Sequence, residues 1–437
     1  MGKLRKSLSA PGLLGTVRKV FRSVPDTRVG HSPLPLADAL MSGLAVFSLK
    51  YPSLLQFDRQ RGDPAEAYNL RTLYGVEHAP CDTQMRALVE EVAPGTLRPA
   101  FKALFPRLQR GKVLESYTYL DGHYLLSVDG TGFFSCNTIH CDQCCTKKNR
   151  AGEITYYHQL LGALIVHPDQ RAVIPLAPEP ITRQDGATKN DCERNAAKRL
   201  LPALRREHPH LKLIVVEEAL AANGPHIQLL QALHMRFILG VKPGDQVALF
   251  EQVEKRARQQ QITEHTVTDE EGVAHRFRFA NGLSLNQQHP DLKVNFLEYW
   301  EEKNGKTRHF AWITDFTLST DNVFAIMRGG RARWSIENET FNTLKNQGYH
   351  FEHNFGHGHQ HLATNFSLLM LLAFAIDQIQ AHCCVFFQQA LRAQHAKTYL
   401  WEKMRAFFVS FYIQDWEHFF TALIHGPTLY DIVPDTS

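Results

Sequence analysis

Leu211-Lys212-Leu213-Ile214-Val215-Val216-Glu217-Glu218 is a short apolar run, rich in β-branched residues, that stops at two acids. A run of this length and composition reads as a buried strand. Patterns of a different period flank it. Asn190 to Arg206 is amphipathic at helical spacing, with a capping residue at its start and Pro209 beyond its end. Pro202 lies inside that stretch as a point of kinking or breakage. Downstream, a helix from Pro225 to Leu233 leads to a strand, Phe237 to Val241, closed by Pro243-Gly244. Upstream, strands are expected at Tyr124 to Val128, ending in Asp129-Gly130, then at Tyr156 to Val166 and Ala172 to Leu176. Three strands followed by alternating helix and strand predict an α/β unit, a mixed sheet with helices on its faces.

The regions around this unit have their own texture. A chain of 437 residues is too long for one ordinary core. Residues 1–115 read as a helical N-terminal domain, suited either to DNA binding or to packing against the core. Residues 116–243 form the first part of the core. Residues 244–321 read as a β-rich insertion, with Val294 to Trp300 and Thr307 to Thr314 flanking the hairpin signal Asn304-Gly305. Residues 322–380 bring the second part of the core and a long helix from about Arg333, and 381–437 a helical C-terminal region. The net charge is only +4, but Lys3, Arg5, Lys6, Arg18, Lys19, Arg22 and Arg28 crowd the N-terminus. They suit a phosphate-tracking arm or a solvated leader equally well. No export signal is read, and the apolar run Phe366 to Ile376 gives way to Asp377, so it reads as a buried helix. No membrane partner and a cytoplasmic, nucleoid-associated location are expected. The eight cysteines then read as thiols or metal ligands.

Chemistry is expected at three acids. Asp129 and Glu218 follow core strands, and Glu337 sits on the helix after the insertion. Any one of them alone reads as a surface group or helix cap. Acids at strand ends converge on one sheet edge, and three carboxylates are enough to hold one or two Mg²⁺ or Mn²⁺ ions. Such a pair of ions serves phosphodiester chemistry. On the expected helix Arg333, Glu337 and Lys345 share roughly one face, offering two cations to a phosphate backbone. The bland reading is a surface helix with i,i+4 pairing, and Glu339 is the alternative acid.

The run Arg333-Trp334-Ser335-Ile336-Glu337, with Phe341 and Leu344-Lys345, resembles the Tyr-Arg-Glu-Lys signature of DDE-type transposases of bacterial insertion sequences. Val128-Asp129-Gly130-Thr131 and Asn354-Phe355-Gly356-His357-Gly358 are similar to other landmarks of that group. The resemblance implies an RNase H-like core with a β insertion between the second acid and the final Glu. It further implies an Asp-Asp-Glu triad with Mg²⁺, terminal inverted repeats, target DNA and a homodimer in the DNA complex. The chain departs from the signature in three places. Glu218 stands where the second acid is normally Asp, the signature Tyr falls near Gly330, and Lys345 comes one residue late.

Other residues invite a role. His140, Cys141, Cys144 and Cys145, near Cys136 and His158, have zinc-ligand spacing. A closed structural Zn²⁺ site and a set of free thiols are the two readings. His350, His353, His357, His359 and His361 read as loop histidines or phosphate contacts. Trp300 and Trp312 suit base stacking or packing. The expected function is metal-dependent DNA cleavage and strand transfer by Asp129, Glu218 and Glu337, with Arg333, Lys345 and Trp300 on the DNA. The rival readings are a catalytically impaired DNA-binding descendant and a zinc-stabilised nuclease without strand transfer.

Overall fold

The computed structural model describes residues 6–28, 34–186, 189–303 and 305–427. Lys3, Arg5 and Asn304 lie outside them. The strands are β1 (Thr118–Tyr119), β2 (His123–Cys136), β3 (Cys145–Lys148), β4 (Ile154–His167), β5 (Gln170–Pro175) and β6 (Glu179–Ile181). They continue with β7 (Leu213–Glu217), β8 (Arg236–Gly240), β9 (Thr263–Thr268), β10 (Ala274–Ser284), β11 (Lys293–Lys303) and β12 (Lys306–Thr314).

These twelve strands form one mixed sheet in the order β3-β4-β2-β7-β8-β12-β11-β10-β9, with β5 and β6 also on β4 and β1 on β2. β2 runs antiparallel to β4 and parallel to β7, and β7 runs parallel to β8. Parallel neighbours need crossover connections, and the helices Lys189–Glu207 and Gly224–Ala232 supply them. Leu213, Ile214, Val215 and Val216 are all buried, as the β-branched run predicts for a strand covered on both faces. Pro202 lies within one continuous helix and does not divide it.

The expected β insertion joins the core sheet directly. β12 pairs with β8, and Thr314 Oγ1 donates to the Phe237 carbonyl at 2.7 Å. Lys303 and Lys306 form the last pair of the β11–β12 ladder.

The boundary at residue 115 does not separate two cores. Helix Leu36–Ser48 packs on helix Leu362–Cys383, and both belong to one hydrophobic cluster that runs into the sheet. The 22 residues of Leu362–Cys383 are long and apolar enough to cross a membrane, yet their most apolar window is wholly buried inside the protein. Each large apolar side chain buried there, such as Leu369 or Phe374, stabilises the fold by roughly 1.5–3 kcal/mol. The Glu90 carboxylate accepts N–H groups from His359, Gln360, His361 and Leu362 at 2.7, 2.6, 3.3 and 2.7 Å. It thereby satisfies donors that the start of the long helix would leave bare.

Candidate functional site

Asp129 does not end its strand. β2 runs on through it for seven more residues, and Asp129 pairs with Gly162 of β4. The parallel ladder is what stops near it. The last β2–β7 pair is Ser127 with Val216, so Asp129 and Glu218 each lie two residues beyond that pair. Two parallel strands therefore deliver two carboxylates at the same level.

The third acid arrives from above the sheet. The long helix expected from about Arg333 is not there: a helix spans Val323–Ala332, and Arg333 and Trp334 form a turn beyond its end. A π turn spans Ile336–Phe341 and includes Glu337. Ser127 Oγ donates to the Arg333 carbonyl at 3.1 Å, fixing this segment on β2. Gly162 permits the approach. A Cβ there would stand 3.2 Å from the Phe341 ring and 3.4 Å from Ile336.

All three acids meet at Arg333. Its Nη1 donates to Glu337 Oε1 at 2.9 Å and to Asp129 Oδ2 at 3.2 Å, and its Nη2 lies 2.8 Å from Glu218 Oε1. The Arg333 side chain is 8% exposed, whereas those of Glu218 and Glu337 are 50% and 47% exposed. Burial pushes the Asp129 carboxyl up to about 7, against the pull of Arg333 and the Gly130 N–H and with the help of the Glu218 and Glu337 charges. One guanidinium faces three carboxyl groups here, a surplus of negative charge wherever all three are ionised.

The alternative acids point elsewhere. Glu217 Oε2 lies 2.6 Å from His226 Nε2, in a buried pair. Glu339 accepts from Arg171 at 3.2 Å. Glu193, unremarked in the sequence, lies against Gly130, where an added Cβ would stand 2.5 Å from its Oε1. Nothing in its sequence context marks it beyond a place in the first turns of helix Lys189–Glu207.

Of two hollows in this part of the protein, one borders Glu218 and Arg333 and the other is lined by none of the three acids. One, of about 380 Å³, is bounded by Glu218, Arg333, Arg331, Phe310, Trp312 and Trp334. Gly330 packs closely on Trp312, where an added Cβ would lie 2.5 Å from its Nε1. Trp300 lies outside this hollow. It pairs with His309, stacks on it at 5.1 Å, and carries Arg276 at 4.5 Å over its ring. Trp300 alternates with Tyr299, so it faces away from the side on which Trp312 packs. The other hollow, of about 910 Å³, is bounded by Gly132, Lys147, Lys148, Tyr157, Lys345 and Glu352. Lys345 pairs with Glu352 at 2.8 Å rather than joining Arg333. The π turn, which holds one residue more than an α turn, breaks the single face expected for Arg333, Glu337 and Lys345.

Half of the expected zinc set is brought together. Cys141 and Cys144 cluster with His158 and His357, their donor atoms all within 4.8 Å of one another, in an arrangement that could hold a metal ion. His140 instead stacks on Tyr156 at 4.3 Å with its Nδ1 on the Thr138 carbonyl. Cys145 is buried within β3, beside Cys192. Of the thiol pair, Cys141 is held well below the ordinary range, first by its hydrogen bond with Cys144, against burial, and then by the two imidazoles. Among the other histidines of the 350–361 run, none joins a metal-binding group of described residues. Comparison with known proteins brings no relative to this site, since no family model and no curated protein matches the chain.

Proposed function

We propose that the chain is a DDE-type transposase that cleaves DNA at the ends of its element and joins them to target DNA. The reading rests chiefly on one observation: Asp129, Glu218 and Glu337, separated by 89 and 119 residues of chain, converge on the Arg333 guanidinium. An RNase H-like core is part of the proposal. It is supported by the order β5-β4-β2-β7-β8, with antiparallel pairing up to β2 and parallel pairing after it. The π turn adds one residue between Glu337 and Lys345, the same offset by which Lys345 departs from the signature spacing.

Asp129, Glu218 and Glu337 would hold Mg²⁺ or Mn²⁺. Divalent ions at such a site supply a nucleophile at neutral pH and stabilise the leaving oxygen of an in-line displacement. The protein's own groups do the rest. Arg333 holds the three carboxylates to one geometry, and its fork suits a phosphate that enters among them. Lys147 and Lys148 on β3 and Lys345 beyond the π turn give the larger hollow the charge to track a DNA backbone. Phe310, Trp312 and Trp334 offer ring faces for a base beside the acids. Double-stranded DNA with terminal inverted repeats, a target duplex and a homodimeric complex belong to the same proposal.

Glu218 does not read as a lesion, since its carboxylate reaches Arg333 at 2.8 Å and stays half exposed. The test is an end-cleavage and joining assay on DNA carrying the sequence that flanks the gene. Mg²⁺-dependent nicking and joining, both lost in Glu337→Gln, is the expected result. Binding without nicking would assign the chain to a catalytically impaired DNA-binding descendant. Nicking without joining would make it a nuclease.

A further inference from the structure

The Cys141, Cys144, His158 and His357 cluster lies outside the acid site, and its distances carry a specific meaning. Cys141 Sγ and Cys144 Sγ are 3.8 Å apart. His158 Nε2 is 3.4 Å from Cys141 Sγ and 3.3 Å from Cys144 Sγ, and His357 Nε2 is 3.5 Å from Cys144 Sγ. With Zn–S of about 2.3 Å and Zn–N of about 2.0–2.1 Å, a regular tetrahedron has S–S edges of about 3.8 Å and S–N edges of about 3.5–3.6 Å. The four measured separations match those edges to within about 0.3 Å. The S–S separation is also far beyond the ~2.05 Å of a disulfide.

We propose that Cys141, Cys144, His158 and His357 form a closed structural zinc site that fastens the loop ahead of β3 to the loop ahead of helix Leu362–Cys383. Two thiolates and two imidazoles in a tetrahedron suit Zn²⁺ above the harder divalent ions, and four protein donors leave no position open for catalysis. Cys144, His158 and His357 are buried and Cys141 is half-buried. Phe134 lies over His357 at 4.4 Å and Phe133 stacks on His158 at 5.7 Å, which keeps water from the centre. The Cys141 N–H points at Cys144 Sγ at 3.4 Å, a contact that supports a thiolate.

The site spans a long stretch of chain. Cys141 and Cys144 lie just ahead of β3, His158 lies on β4, and His357 comes from 213 residues beyond Cys144. Zinc would therefore fix β3, with Lys147 and Lys148, against the part of the protein that carries Lys345 and Glu352. This placement stands on the four side chains alone and is independent of the DNA-cleavage reading.

The test uses the full chain purified without chelators. Elemental analysis should give about one zinc per chain. Cys144→Ser and His357→Ala should lose most of it, while His140→Ala, Cys145→Ser and Glu337→Gln keep it. Replacement by Co²⁺ should give the thiolate-to-metal charge-transfer band and intense visible bands of a tetrahedral site. Should the variants fail to fold, the unmodified chain stripped by a chelator and titrated with Co²⁺ gives the same spectrum, and its 137–153 segment should become more open to proteolysis until metal returns. A chain with no zinc and no tetrahedral Co²⁺ spectrum overturns the proposal. So does zinc that survives Cys144→Ser and His357→Ala, or that departs with His140→Ala.

Discussion

Glu217 and Glu218 are adjacent in the chain and serve opposite faces of the sheet edge. Glu217 lies 2.6 Å from His226 in a buried pair, and Glu218 lies 2.8 Å from Arg333 with half its side chain in solvent. The strand ends between them, so one belongs to the core and its neighbour to the site.

This division separates their mutants. Glu218→Gln should keep the folding stability of the parent and lose DNA cleavage by on the order of 10²–10³-fold, the range for removing one preorganised charge. Glu217→Gln should behave the other way, losing about 1–3 kcal/mol of stability as the His226 pair weakens while cleavage per folded molecule persists. Denaturant melts and single-turnover nicking on both variants measure this. The reverse pattern would make Glu217 the functional acid.

Glu337 and Glu339 make a similar pair. Glu337→Gln should abolish metal-dependent cleavage with DNA binding intact, whereas Glu339→Gln weakens an exposed contact to Arg171 and a charge interaction with Lys397, with a stability effect of about 0–1 kcal/mol. A nicking assay in which Glu339→Gln is the inactive variant would move the site one residue pair along the π turn.

Lys50 is buried and ion-paired to Asp377, with Trp401 and Tyr349 under its ammonium at 4.0 and 4.5 Å. Breaking a buried pair by removing one partner costs about 3–5 kcal/mol, because the other charge is left bare. Lys50→Met should show a loss of that size in urea unfolding. Lys50→Met with Asp377→Asn should lose less than the single variant. Additive losses would mean that packing, not the charge pair, dominates there.

Glu66 gives a pH dependence. Burial pushes its carboxyl up to about 7 from 4.5, partly opposed by the Tyr51 hydroxyl, which donates to it at 2.8 Å. Between those values the folded chain holds a proton that the unfolded chain has released. The linkage therefore lowers stability as pH rises from about 4.5 to about 7 and leaves it level above that, by about 3 kcal/mol in total. Glu66→Gln should remove this slope and gain most over the parent above neutrality. Parallel stability curves for the two proteins from acid to neutral pH would show that Glu66 ionises normally.

The core strands were legible because runs such as Leu213 to Val216 combine β-branching with burial on both faces. The place of Glu218 was legible because such a run stops just before it. Asp129 was misplaced for a local reason. Asp129-Gly130 has the chemistry of a turn, but pairing with β4 from Gly162 to Leu160 carries β2 straight through it. The π turn left no mark in helical periodicity. His357 could not be matched to Cys144 by spacing at all, since only the folded chain brings them together. His140 and Cys145 have the right spacing and the wrong direction. Trp300 shows the same limit, because alternation along β11 decides which tryptophan faces the helix, and the sequence alone does not say which face that is.

The pairing of β12 with β8 has a consequence for anyone seeking a minimal core. Cutting out the segment from β9 to β12 would bare the backbone of β8, whose Phe237, Ile238 and Leu239 are fully buried. An apolar strand with unpaired N–H and C=O groups is a template for a second chain. In the intact protein the sheet instead finishes on β9, Thr263-Glu264-His265-Thr266-Val267-Thr268, which is short and largely exposed. The appended strands thus carry the margin of the sheet from a sticky sequence to a soluble one, and a trimmed version should form fibrils or inclusion bodies where the full chain stays dispersed.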